Sequence, residues 1–210
     1  MGVAYTPHVN RLRVFWTFVL LDLLLLTGLR ANQSLVANAP ARSPLTRPIR
    51  TVAPIDLPDV RFTDAFGRIV RLSDLRGRVT LLALSNVRCV EESACVEPLP
   101  AYAAVAAALG LSATNVAYVF VGVDVNWDGP ALSAYVNSSS AADVRGWMAS
   151  TADLRPLTLR MGVHMNESDG VLLAHAPFIY LIDQQTRLRV YVPKQARFDE
   201  LIDEVRLLLD

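Results

Sequence analysis

Two cysteines, Cys89 and Cys95, are the only thiols in this 210-residue chain, and they stand six positions apart. A domain of this size can bury an adequate core without disulfide staples, so a lone close pair is not a scaffold. Shared chemistry remains, either as a redox dithiol or as a clip for one soft metal ion. The local context favours thiolates. Val79–Leu84 reads as a buried central strand upstream, and Pro98 and Pro100 mark the first turn of an alanine-rich helix ending near Leu109. Free amides and the positive end of a helix dipole stabilise an anion, so a thiol at such a junction has a lowered pKa. A thiolate serves equally as redox nucleophile and as metal ligand. On a regular helix, residues six apart lie ~120° round from one another and cannot close on one ion. Cys89 is therefore expected in a loop folded back over Cys95.

Other candidates carry less. Asp124 and Asp128 precede a helical segment and read as capping or loop-orienting residues rather than ligands. His164 lies between Met161 and Met165, which reads as a helix-end loop with incidental methionines.

The elements that must position the cysteines follow from periodicity. Short strands alternate with helix-period segments, the pattern of an α/β sheet with crossover helices. Val60–Thr63 and Ile69–Leu72 flank a turn at Asp64–Gly67. Val79–Leu84, Val116–Val123 and Phe178–Ile182 are apolar runs of strand length, as expected of strands buried on both faces. Leu188–Val192 is expected to return antiparallel after Asp183–Arg187. Helices are expected from Asp128 or Gly129 through Val136, over Ala152–Met161, and over Phe198–Leu209, where apolar residues recur at i, i+3, i+4 and i+7.

Three regions result. In residues 1–30, Arg11 and Arg13 precede the apolar run Val14–Leu29, a membrane anchor or signal segment that spans roughly 24 Å as a helix. Residues 31–58 read as a proline-rich linker, with five prolines between Ala39 and Pro58. Residues 59–210 form the folded domain. With the basic flank kept inside, the domain faces the periplasmic or other extracytoplasmic side, or the mitochondrial intermembrane space. Twenty basic residues balance twenty acidic ones, so no global field draws nucleic acid, and none is expected as a partner.

The domain resembles the SCO/SenC family of thioredoxin-like copper proteins. The resemblance is carried by Phe62–Arg68 with Leu72–Val79, by Val121–Asp128, whose strand ends in an Asp-x-x-x-Asp loop, and by His175 five residues before Tyr180. It implies a thioredoxin-like fold, a central mixed sheet flanked by helices, with an N-terminal anchor. It further implies a copper ion held by Cys89, Cys95 and His175, a donor set that suits Cu(I) or Cu(II). The family's cysteines are Cys-x-x-x-Cys, whereas five residues intervene here. The implied function is a copper metallochaperone for the dinuclear copper centre of a respiratory oxidase, with a copper donor protein and a copper-receiving oxidase subunit as partners. That role is not enzymatic. The alternatives are a thiol-disulfide oxidoreductase, with Cys89 attacking and Cys95 resolving, and a degenerate assembly factor without chemistry.

Overall fold

A computed structural model describes residues 46–85, 98–123, 128–138, 142–163, 165–168, 171–174 and 178–210, with backbone only for 165–168 and 171–174. The chain divides into two compact units, Met1–Pro44 and Leu45–Asp210, and all described residues lie in the second.

The elements in chain order are β1 (Ile49–Asp56), β2 (Arg61–Asp64), β3 (Ile69–Arg71), β4 (Val79–Ser85), α1 (Leu99–Leu109), β5 (Val116–Gly122), α2 (Gly129–Asn137), β6 (Val144–Met148), α3 (Thr151–Arg160), β7 (Met165–Ser168), β8 (Val171–Ala174), β9 (Phe178–Ile182), β10 (Arg187–Pro193) and α4 (Phe198–Leu209). One eight-stranded sheet runs β1-β10-β9-β4-β5-β6-β2-β3, and β7 with β8 makes a separate hairpin. β4, β5 and β6 are mutually parallel; the other pairings are antiparallel.

Every residue of β4 and β5 is buried, which is why these strands are apolar without alternation. On one face Leu81, Ala83, Tyr118 and Phe120 pack under α1, α2 and α4 through Tyr102, Val105, Leu132, Val136, Leu201 and Val205. On the other, Leu82, Leu84, Val119 and Val121 meet α3 through Leu154 and Leu157, together with Phe62, Leu72 and Trp147. The observed architecture is thus the expected central mixed sheet with helices on both faces.

Two hairpins are built alike. At the β2–β3 turn, Asp64 Oδ1 accepts from the amides of Phe66 and Arg68 at 2.9 Å, and Oδ2 accepts from Arg68 Nε at 2.7 Å. At the β9–β10 turn, Asp183 Oδ1 accepts from the amides of Gln185 at 3.0 Å and Arg187 at 2.9 Å. An aspartate that bonds its own backbone two and four residues on sets the turn through local contacts.

The structure corrects the linker reading at its end. Ile49–Asp56, placed by sequence in a linker reaching residue 58, is strand β1, paired antiparallel to β10. Pro54, the one proline inside β1, sits where an edge strand tolerates it. Pairing is interrupted between Arg50 and Ile55, and Pro54 falls inside that irregularity, with no ladder hydrogen bond to lose. Arg50 Nε also donates to Glu204 Oε2 of α4 at 2.9 Å. β6 was not expected either. Its Gly146 has a packing reason, since a Cβ there would lie 2.7 Å from Leu132 Cγ on α2.

No helix among the described residues is long and apolar enough to cross a membrane. The segment Val14–Leu29 lies outside the described residues.

Candidate metal centre

Cys89 and Cys95 fall in residues 86–97, and His175 in residues 175–177, all outside the described residues; His164 and Asp124 lie outside them too. What the structure places are the elements from which those segments depart. β4 ends at Ser85, at the same end of the sheet at which β5 ends and β9 begins. Ala83 of β4 faces Ile179 of β9, two residues before the end of one strand and one after the start of the other. The Val123 amide donates to the Ser85 carbonyl at 3.0 Å, tying the ends of β4 and β5 together. The chain re-enters the described structure at Pro98, whose carbonyl accepts the first bond of α1, from the Tyr102 amide at 3.0 Å.

Chain length alone then limits the site. An extended chain spans at most ~3.3–3.6 Å per residue, so Cys89 stays within ~14 Å of Ser85. By the same measure Cys95 stays within ~11 Å of Pro98, and His175 within ~11 Å of Phe178. Each tether starts from the same end of the sheet.

The α1 terminus at that end suits an anion. Pro98 offers no capping side chain, and the first turn holds no acidic residue. Pro100 lacks an N–H, which leaves the amides of Leu99 and Ala101 as the open donors of that turn. A thiolate near this terminus would be favoured electrostatically by the helix dipole, whose first turn carries no acidic side chain. α1 itself is fixed rigidly, because the buried Tyr102 hydroxyl donates to the Val119 carbonyl of β5 at 2.9 Å.

Asp128 behaves as the sequence indicated: its Oδ1 accepts from the Ala131 amide at 2.8 Å and caps α2. Met161 is buried in the core beside Leu157, so it is packing rather than part of an accessory soft-metal site with His164. Among the described residues no group of three or more His, Cys, Asp or Glu side chains is arranged to hold a metal ion.

One residue at this end escaped the sequence reading. Lys194 follows Pro193, which faces Phe178 across β9 and β10. It is buried, and burial lowers its ammonium pKa to about 8. A lysine has no periodic signature, and only the tertiary structure shows that its side chain is covered. Its protonated form opposes folding below pH 8, by on the order of 3 kcal/mol. As pH rises from about 8 toward the unfolded value near 10.5, the folded state sheds this proton first and gains stability. Lys194→Met should therefore be more stable than the parent by about 1–3 kcal/mol at pH 7, with the gap closing toward pH 10. Denaturant melts at both pH values check this; a variant less stable at pH 7 would contradict it.

A mixed sheet covered on both faces by helices, with the parallel strands β4 and β5 at its centre, is the architecture of the thioredoxin-like class of fold. The sequence profile of SCO1/SenC matches residues 57–210. The chain belongs to the SCO1/SenC family.

Solved structures agree in fold. Bradyrhizobium japonicum ScoI with copper bound is 21% identical, with a TM-score of 0.57 over 73% of this chain and 99% of that one. Arabidopsis thaliana ScoI with copper bound is 19% identical, with a TM-score of 0.60 over 75% and 96%. The apo Sco1 protein from Thermus thermophilus is 20% identical, with a TM-score of 0.62 over 80% and 99%. A comparison with the curated proteins finds no match.

Proposed function

We propose that this protein is a copper metallochaperone that helps assemble the dinuclear copper centre of a respiratory oxidase. The observation that carries the reading is the convergence of tethers: the cysteine segment leaves β4, and the histidine segment enters β9, at adjacent strand ends. Copper is cargo here. Cys89, Cys95 and His175 would hold it, two soft thiolates and one imidazole forming a set that neither magnesium nor calcium would select. Three protein ligands would leave the ion open to a partner's ligands, which could replace them one at a time. Copper-bound ScoI proteins of the same fold support this choice of metal. A copper donor and a copper-receiving oxidase subunit are the partners this reading requires.

Removing the protein from its cell should lower oxidase activity, with loss of the dinuclear copper signal. Oxidase carrying full copper in such cells would overturn the proposal. The purified chain should also reduce insulin disulfides no faster than the Cys89→Ser/Cys95→Ser double variant; faster turnover would select the thiol-disulfide oxidoreductase reading instead.

We further propose that Val14–Leu29 anchors the chain, with the domain on the extracytoplasmic or intermembrane side. The basic residues Arg11 and Arg13 before the run support that orientation. Protease added outside spheroplasts or mitoplasts should then digest residues beyond Ala39. A domain protected on the cytoplasmic or matrix side would contradict this topology.

A further inference from the structure

Lys194 is the one lysine of the chain; the other nineteen basic residues are arginines. It is 8% exposed, in the turn that leaves β10, whereas no described arginine is buried. No hydrogen bond or ion pair joins it to any described residue, and among those residues burial alone moves its pKa. The acidic groups next along the chain are not its partners. Asp199 pairs with Arg197 at 2.6 Å, and the enclosed Oε2 of Glu200 has no hydrogen-bond partner among the described residues. With its pKa at about 8, the amine is still mostly protonated at pH 7. Buried charges persist in folded proteins when they are paired, so this ammonium calls for an anion.

Its place in the sheet says which anion. Pro193 faces Phe178, the first residue of β9, and Ala83 near the end of β4 faces Ile179. Lys194 therefore starts about 5 Å, one strand spacing, from the start of β9 and about 10 Å, two spacings, from the end of β4. Val192 before it and Ala196 after it belong to the core cluster that holds Leu99 and Tyr102 in the first turn of α1. The cysteine segment runs from that end of β4 to that turn of α1, and His175 stands three residues before Phe178.

We propose that the Lys194 ammonium is the counter-ion of the copper complex and biases the site toward Cu(I) over Cu(II). The inference rests on the copper reading above. Two thiolates, one neutral imidazole and Cu(I) sum to one negative charge, whereas the same ligands around Cu(II) sum to zero. A fixed positive charge stabilises the first complex and leaves the second nearly unaffected. In an effective dielectric of about 20, unit charges about 10 Å apart attract enough to change an affinity roughly tenfold. Lysine suits this task as a compact point charge, while the planar fork of arginine matches carboxylate and phosphate. The stability that an unpaired ammonium costs the copper-free chain is offset when the cargo is bound.

Chelator competition on the reduced full chain at pH 7 tests the proposal. Cu(I) affinity should fall about tenfold in Lys194→Met, while Cu(II) affinity should change less than about twofold. The Cu(II)/Cu(I) midpoint should fall in step by about 59 mV, the one-electron equivalent of a tenfold change. Lys194→Arg keeps the charge and should hold Cu(I) affinity within about threefold of the parent. Lost folding cannot account for these shifts, because Lys194→Met is expected to be the more stable chain. Glu91→Gln/Glu92→Gln/Glu97→Gln removes the acidic side chains of the cysteine segment and should leave the difference between parent and Lys194→Met in place. Loss of that difference would assign the ammonium to a glutamate and overturn the proposal. Equal losses of Cu(I) and Cu(II) affinity in Lys194→Met would overturn it too. A parent chain that takes up no copper would overturn the copper reading itself. A parent that binds Cu(I) no more tightly than Lys194→Met would overturn the role of Lys194 alone.

Discussion

Replacing either Cys89 or Cys95 by serine should abolish stable Cu(I) binding by the reduced full chain, with a loss in affinity of more than about a hundredfold. Altering the groups that merely orient a metal ligand typically costs ~10–100-fold, so removal of a ligand should cost more. Serine is nearly isosteric but offers a hard, protonated oxygen in place of a soft thiolate, and one thiolate with one imidazole leaves Cu(I) under-coordinated. His175→Ala should behave differently. It should weaken Cu(II) more than Cu(I), since two thiolates can hold Cu(I) almost linearly. His164→Ala should change neither. The spacing adds a further test. Deleting two residues from Glu91-Glu92-Ser93 restores the family's Cys-x-x-x-Cys and should preserve or tighten binding. Competition with a chelator of known Cu(I) affinity measures all of these. Equal affinity in the parent and both cysteine variants would remove the cysteines from the site.

The largest effect on stability should come from Asp183→Ala. This carboxylate is buried at the β9–β10 turn, immediately beyond the strand that begins beside the candidate site. It accepts two backbone amides, and Arg187 Nη2 and Arg189 Nη1 lie 2.9 and 3.3 Å from its Oδ2. Burial alone would raise its pKa, but the hydrogen bonds and charge of Arg187, joined by Arg189, hold it below the usual carboxylate range. Truncation leaves the turn amides without their acceptor, and a cost of about 3 kcal/mol is expected. Asp183→Asn retains a neutral acceptor and should cost less. Because the folded pKa is depressed, the stabilisation is complete above about pH 4 and is lost as pH falls through the folded value. The acid limb of the stability profile should accordingly flatten in Asp183→Asn. Denaturant melts between pH 2 and pH 7 check both effects; an unchanged acid limb would show that Asp183 does not contribute it.

How much of this could be read from residues alone follows the physics of each element. β4, β5 and β9 announce themselves because strands buried on both faces are apolar over most of their length. α4 does so because one face meets the sheet while the other meets water. Asp128 and the proline-led start of α1 are local signals, and the structure returns them unchanged. β1 was hidden because an irregular edge strand can carry Pro54. β6 was hidden because Arg145 and Gly146 break the alternation, and the reason for the glycine, Leu132 on another element, is not local. The β7–β8 hairpin was also missed. Its first strand, Met-Asn-Glu-Ser, has no strand-like composition. The candidate site divides in the same way. The cysteines stand out as an isolated pair at a strand-to-helix junction. His175 has no such local signal, and only the family pattern before Phe178 singles it out. Lys194 became visible only with its burial.

The most direct test of the central claim is X-ray absorption at the copper edge on the full chain, reduced, loaded anaerobically and freed of excess metal by gel filtration. One copper per chain is expected, with two sulfur and one nitrogen neighbours, and His175→Ala should lose the nitrogen contribution. A shell of nitrogen and oxygen alone, or a chain that leaves the column without copper, would contradict it.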